Sequence, residues 1–287
     1  MKVLHTIEAL RNELEPLKRE GKSIGLVPTM GALHEGHTSL IDVAAREADY
    51  TVVSVFLNPI QFGKNEDLDK YPRKLEADVK LAEEHGAAFV FAPAPEEMYP
   101  NGDPLTLVRN EKLEGLYCGQ YRKGHFRGVL TVVAKLFLIS GATLAVFGEK
   151  DYQQLFLIRQ MVNDLNFPIR ILSAPTVREP SGLALSSRND YLPKAERKKA
   201  AAIYEGLKKA KAAYDGGERF VSQLRDIVIQ TILKGGGNVQ YVEIASASSL
   251  KKLAGRLKND KIVILVAAIF GAEVKTRLID NIELGAE

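Results

Sequence analysis

The sequence predicts an α/β protein, a parallel sheet covered by helices and followed by a second, smaller α+β domain. Three observations carry that reading. The first 175 residues alternate short apolar runs with amphipathic segments. The runs are rich in Val, Ile and Phe and are closed by Gly or Pro, as buried strands are. The texture changes after residue 177, where a Lys/Ala-rich stretch and a triple glycine replace the alternation.

In chain order, residues 23–28, 51–58, 88–93, 144–148 and 169–176 read as strands. Helical patterns lie between them, over 38–48, 75–85, 128–139 and 152–165. Strand and helix in strict alternation imply a parallel sheet with helices on both faces. Ligands of such sheets bind outside the carboxyl ends of the strands. Further on, 193–214 and 218–233 read as helices, and 239–245, 261–269 and 276–282 as strands. The domains are therefore expected at 1–177 and 178–287, joined by a hinge around 176–183, which contains Pro180 and Gly182.

Composition narrows the function. With 39 Lys and Arg against 36 Asp and Glu, the net charge is only +3. That is weak for a nucleic-acid binder. The single cysteine, Cys118, rules out an intramolecular disulfide and a multi-cysteine zinc site. It reads as a small residue near a glycine-rich loop. The N-terminus has no apolar signal core, and no apolar stretch approaches a membrane span. A soluble cytoplasmic protein is expected, with no nucleic-acid or membrane partner.

Several segments that follow predicted strands can carry chemistry. The first is Met30-Gly31-Ala32-Leu33-His34-Glu35-Gly36-His37, running from a strand into a helix. A helix start offers free N–H groups to phosphates. His34 and His37, three residues apart, would share one face and could donate to phosphate oxygens. A metal site is the rival reading, but no third ligand stands nearby in the sequence. The second segment is Gly148-Glu149-Lys150-Asp151, with Gln154 about one turn into the next helix. Lys150 suits a phosphate. The third is Leu185-Ser186-Ser187-Arg188, whose arginine offers bidentate contacts to an anion. Asn58-Pro59-Ile60-Gln61-Phe62 closes the second strand, and Gln61 supplies both a donor and an acceptor. Residues 117–128 combine glycines with Arg122, Lys123, His125 and Arg127, and read either as a mobile lid over an anion or as a solvated basic loop.

Taken together, residues 28–37, 58–62, 67–73, 124–135, 147–154 and 183–189 resemble the pantoate–β-alanine ligase (pantothenate synthetase) family, in that family's order and spacing. His-x-Gly-His alone would point only to the wider nucleotidyltransferase superfamily. The resemblance implies a Rossmann-like first domain, a small C-terminal domain closing over the site, and a homodimer. It implies that ATP, with Mg²⁺, activates pantoate as an adenylate. The amine of β-alanine then captures the acyl group, giving pantothenate and AMP.

By position, the resemblance assigns Met30 to His37 to ATP, with His34 and His37 at the phosphates. His37 is commonly given as a proton donor. Gly148, Glu149, Lys150 and Asp151 would bind nucleotide, with Lys150 at the phosphates and Asp151 at the ribose. Val177 would meet the adenine through its backbone. Leu185, Ser186, Ser187 and Arg188 would close over the phosphates. Gln61 and Gln154 would bind pantoate, Gln61 also lying near β-alanine. Asp78 stands where some members carry an acidic residue near the metal. Leu185 replaces a family methionine, which conserves volume, and Lys123 replaces a frequent proline.

The chemistry argues for charge stabilisation. Attack of a carboxylate on the α-phosphorus brings anions together, and Lys150, Arg188 and the histidines suit that problem. Pyrophosphate and AMP leave readily, so His37 is expected to bind developing charge rather than to act chiefly as an acid. The rival activities are an adenylyltransferase for a phosphorylated acceptor, a truncated tRNA-synthetase relative, and a non-catalytic nucleotide-binding module.

Overall fold

The computed structural model describes residues 1–64, 66–258 and 261–285. The chain forms two compact units. One comprises Met1–Glu149 and Gln154–Pro175, the other Lys150–Gln153 and Thr176–Glu287. The segment Lys150–Gln153 departs from expectation, because it clusters with the second unit although the chain on both sides of it belongs to the first.

The first unit opens with β1 (Lys2–Leu4), α1 (Ile7–Arg19), β2 (Ile24–Thr29), α2 (Glu35–Glu47), β3 (Tyr50–Val55), α3 (Leu75–Glu84) and β4 (Phe89–Phe91). Two single-turn helices follow, α4 (Pro95–Met98) and α5 (Cys118–Tyr121). Then come α6 (His125–Ser140), β5 (Leu144–Gly148), α7 (Tyr152–Asp164) and β6 (Arg170–Ala174). The strands make one parallel sheet in the order β1-β4-β3-β2-β5-β6. Side chains alternate across it, as the two-residue period of a strand demands. Leu26, Val52 and Phe147 face a layer built with Leu10 and Leu14 of α1 and the apolar residues of α6. Their neighbours Val27, Val53 and Val146 face Leu40, Ile41 and Ala44 of α2 and Ala82 of α3. Both faces are thus covered, which explains why the strands read as unbroken apolar runs.

Sequence patterning missed β1 and α1. The helix carries Pro16 in its interior, a residue that argues against a helix. Its signals are a Thr6 cap, whose hydroxyl accepts the Ala9 N–H at 3.1 Å, and the buried pair Leu10 and Leu14. The strand expected to reach Asn58 ends at Val55, and Pro59 opens a 3-10 turn over Pro59–Gln61. Helix α6 starts at His125 rather than 128, between left-handed glycines at both ends, Gly124 and Gly141. Gly128 lies in its first turn because the helix presses on the 3-10 turn. A Cβ there would come 2.6 Å from Cα of Gln61.

The second unit packs α8 (Lys194–Ala200), α9 (Ala202–Asp215) and α10 (Val221–Lys234) on an antiparallel sheet of β7 (Asn238–Ser246), β8 (Ile262–Phe270) and β9 (Thr276–Leu284). One helix was expected over 193–214. It is interrupted at Ala201, whose N–H turns back to the Lys198 carbonyl. The expected hinge is an ordered tight turn, with the Glu179 N–H on the Leu183 carbonyl and an Arg178–Ala184 bridge. Arg178 makes a bidentate pair with Asp280, at 2.6 and 2.9 Å, and its guanidinium carbon lies 3.6 Å from the centroid of the Tyr204 ring. Burial pushes the Asp280 carboxyl upward and the Arg178 guanidinium opposes that rise. Removing one partner of a buried pair leaves the other uncompensated, so Asp280→Ala should cost about 3–5 kcal/mol in urea unfolding. A loss below about 1 kcal/mol would show that the pair does not hold this turn.

Candidate active site

Strand β2 pairs with β3 on one side and β5 on the other. The chain leaves β2 in one direction toward β3 and β4, and later returns on its other side through β5 and β6. Such a switch point opens a crevice at the carboxyl ends of the strands. The predicted motifs beginning at Met30 and Gly148 follow those two ends.

The loop after β2 is held by its own backbone. Gly31 and Ala32 both take positive φ, 84° and 53°. The Ala32 and Leu33 N–H groups donate to the two oxygens of buried Asp78, at 3.0 and 2.7 Å. A Cβ on Gly31 would come 3.0 Å from Asp78 Oδ2 and 3.1 Å from Val55. Thr29 adds a further tie, donating its hydroxyl to the Ser54 carbonyl and accepting the Gly31 N–H. Burial pushes the Asp78 carboxyl above the usual aspartate range, against the pull of the two N–H groups and of Lys74. In this structure each Asp78 oxygen accepts one backbone N–H, so the carboxylate acts as a clamp on the loop. Among the described residues there is no group of three or more His, Cys, Asp or Glu placed to hold a metal.

The clamped loop delivers His34 as the N-cap of α2. Its Nδ1 accepts the Gly36 N–H at 3.1 Å, and His37 Nδ1 accepts the His34 N–H at 3.4 Å. This is a capping box in which imidazoles replace the usual Ser and Glu. A neutral imidazole that accepts at Nδ1 carries its proton on Nε2. The rings lie 4.2 Å apart, centroid to centroid. Capping and anion binding are therefore compatible, since one nitrogen of each ring serves the helix and the other is a donor. Glu35 is exposed and Gly36 half-buried in the same first turn.

The turn after β3 brings Gln61 to this loop, with its Nε2 3.0 Å from the Met30 sulfur. Gln61 is buried, and its Oε1 accepts from Asn58 Nδ2 at 2.9 Å. The turn is braced from α6, where His125 Nδ1 donates to the Gln61 carbonyl at 2.9 Å. That tautomer follows from Arg122, whose guanidinium donates to His125 Nε2. Arg122 also pairs with Glu66. Within residues 117–128, Tyr117, Cys118, Gly119, His125, Phe126 and Gly128 are buried, and Gln120, Tyr121, Lys123, Gly124 and Arg127 are exposed. A Cβ on Gly119 would collide with the Glu114 carbonyl. Gly119 and Gly128 serve close approach here, and Arg122 and His125 brace the Gln61 turn, while Lys123, Gly124 and Arg127 are exposed. Gln154 is half-buried in the first turn of α7, and Glu149 accepts the Ser173 hydroxyl at 2.9 Å.

The remaining predicted groups lie in the second unit. Lys150 Nζ is 3.4 Å from Asp151, and the Lys150 carbonyl accepts from Asn281 Nδ2 at 3.0 Å. Leu185 donates its N–H to the Val177 carbonyl. Ser186 caps a 3-10 turn over Ser187–Tyr191, accepting the Arg188 N–H at 3.3 Å. Ser187 is buried and Arg188 half-buried. Fully buried Asn189 ties this turn to Glu179 and to the Ala184 carbonyl. Sequence reasoning missed Asn58, Asn189 and the Asp78 clamp as organisers. Asn58 and Asn189 stood inside quoted motifs, while only burial reveals the job of Asp78.

A parallel α/β sheet with a capped His-x-Gly-His helix start at its switch point defines a nucleotide-handling enzyme of the α/β class. The family model described as Pantoate-beta-alanine ligase matches residues 2–283, and the chain belongs to that family. The pantothenate synthetase of Clostridium novyi is 48% identical over 279 residues, covering 97% of this chain and 96% of that one. The pantothenate synthetase structure from Thermus thermophilus superposes with a TM-score of 0.91 at 41% identity, covering all of both chains. The Francisella tularensis pantoate-beta-alanine ligase, solved with "Beta-gamma ATP and Beta-alanine", gives 0.80 at 35% identity, covering 98% and 97%.

Asn at position 78 offers one acceptor where the loop presents two N–H groups. Asp78→Asn should therefore cost about 1–3 kcal/mol of stability. It should also speed amide exchange at Ala32 and Leu33 by about tenfold. Unchanged exchange at those two amides would show that the carboxylate does not hold the loop.

Proposed function

We propose that this chain is an ATP-dependent ligase that condenses pantoate with β-alanine through a pantoyl adenylate. The observation that carries the reading is the His34–His37 capping box beside Gln61, in a chain that belongs to the pantoate-beta-alanine ligase family. In the first step a pantoate carboxylate oxygen bonds to the α-phosphorus and the bond to pyrophosphate breaks. In the second the β-alanine nitrogen bonds to the acyl carbon, AMP leaves with the bonding pair, and the nitrogen loses a proton.

The residues divide this work by charge and polarity. Met30 to His37 hold ATP, and the Nε2–H groups of His34 and His37 donate to phosphate oxygens. Protonating either Nδ1 would break the helix cap, so the rings serve as neutral donors. That supports charge stabilisation over proton donation by His37. Lys150 and Arg188 offset the charge of the phosphates. Gly148, Glu149, Asp151, Val177, Leu185, Ser186 and Ser187 complete the nucleotide contacts, and Gln61 and Gln154 hold pantoate. Mg²⁺ would arrive on the phosphates of ATP, since that ion keeps several waters and needs few protein ligands. A homodimer in the cytoplasm is the expected setting, and light scattering tests the dimer.

Pantoate-dependent exchange of labelled pyrophosphate into ATP tests the reaction, and its absence in folded, ATP-binding protein would sink the reading. For His37, Gln keeps a neutral donor that Ala lacks. His37→Gln should retain exchange at least about tenfold above His37→Ala, one charge-assisted hydrogen bond being the difference. Equal loss in both would remove the neutral-donor role.

A further inference from the structure

Tyr99 lies outside every motif, yet it ends a chain of hydrogen bonds that begins at the substrate side of Gln61. We propose that Tyr99 is a positioning residue that, together with the Gly128 carbonyl, holds the Asn58 amide so that Gln61 meets the hydroxy-acid substrate as a donor. This rests on the reading of Gln61 as a pantoate contact.

The polarity can be followed atom by atom from an acceptor that has no alternative. The Gly128 carbonyl lies 3.2 Å from the Asn58 side chain, so the Asn58 atom facing it must be Nδ2. That same Nδ2 is 2.9 Å from the Gln61 side chain, and the Gln61 atom there must be Oε1. The other end of the Asn58 amide is then Oδ1, and the Tyr99 hydroxyl donates to it at 2.8 Å. Asn58 is 1% exposed and Tyr99 7%, so both partners are shielded from bulk solvent. Gln61 is left presenting Nε2, whose present neighbour is the Met30 sulfur at 3.0 Å. A thioether is a weak acceptor. An oxygen of a hydroxy acid would outcompete it, or take the second N–H of the same nitrogen.

The phenol is suited to a fixed donor. Burial pushes its pKa well above the ordinary tyrosine value, so it stays protonated across any working pH. Its ring is wedged by Phe56, with centroids 6.1 Å apart, and Lys135 approaches the ring face. Gly128 completes the device, because only a residue without a Cβ lets its helix come this close to the Gln61 turn. The result is a site that selects oxygen acceptors and disfavours a substrate presenting an N–H or ammonium donor at that point.

Two variants test this with the full chain, using pantoate-dependent pyrophosphate exchange and separate ATP binding. Tyr99→Phe keeps the ring and removes the donor. It should raise the pantoate KM about tenfold, while the ATP Kd and the ATP KM stay within about twofold. A pantoate KM unchanged, or a parallel loss of every parameter together with stability, would overturn the role of Tyr99. Gln61→Glu keeps an acceptor for Asn58 and replaces the Nε2 donor with a second oxygen. It should reduce pantoate-dependent exchange at least about a hundredfold with ATP binding retained, and it keeps the proposal testable if Tyr99→Phe fails to fold. Retained pantoate use in Gln61→Glu would show that the amide faces the substrate the other way. Absence of exchange in the unmodified protein would instead overturn the proposed function.

Discussion

Two hydrogen bonds from successive backbone N–H groups into one buried carboxylate organise the first unit's site. Asp78 accepts from Ala32 and Leu33 and so holds a loop in which two neighbouring residues have positive φ. A non-glycine residue in that conformation needs its surroundings to impose it. From the clamp the chain enters α2 with His34 at the cap and His37 one turn below. The chemistry of both imidazoles then follows from the cap, which occupies Nδ1 and leaves the proton on Nε2. Asp78 of α3 thus helps set the loop that leads into both histidines.

One theme recurs at the reactive face. The histidines at Nδ1 and Gln61 at Oε1 each have their acceptor engaged by the protein. Such a surface suits ligands rich in oxygen, such as phosphates and carboxylates. It achieves this without concentrated positive charge in the first unit, which accords with a net charge of only +3 over the chain. The cations proposed for the phosphates, Lys150 and Arg188, belong to the second unit. There Asn281 holds the Lys150 carbonyl, and its neighbour Asp280 pins the turn that precedes Leu185.

The sheet was legible because buried parallel strands must be apolar on both faces, and β2, β3 and β5 were found within a few residues of their ends. The motifs beginning at Met30, Asn58 and Gly148 were legible because glycines, prolines and paired polar groups interrupt those runs. What escaped was tertiary. Helix α1 hid behind Pro16. Residues 117–128 looked basic and mobile because sequence gives charge but not direction, and Arg122 and His125 turn inward. The clamp role of Asp78 stayed hidden because a lone carboxylate does not announce that its partners are backbone N–H groups. The Lys150–Gln153 segment joined the second unit through side-chain contacts with β9 that no local pattern encodes.

The packed segment around α5 has one more consequence. Cys118 is the only thiol in the chain, and it is 6% exposed beside the support of the Gln61 turn. A sealed, solitary thiol is a built-in gauge of breathing. A reagent that modifies cysteine can reach it only when that segment opens, so its labelling rate measures the free energy of that opening. Ligands that tighten the Gln61 turn would slow the labelling without any probe being added to the protein.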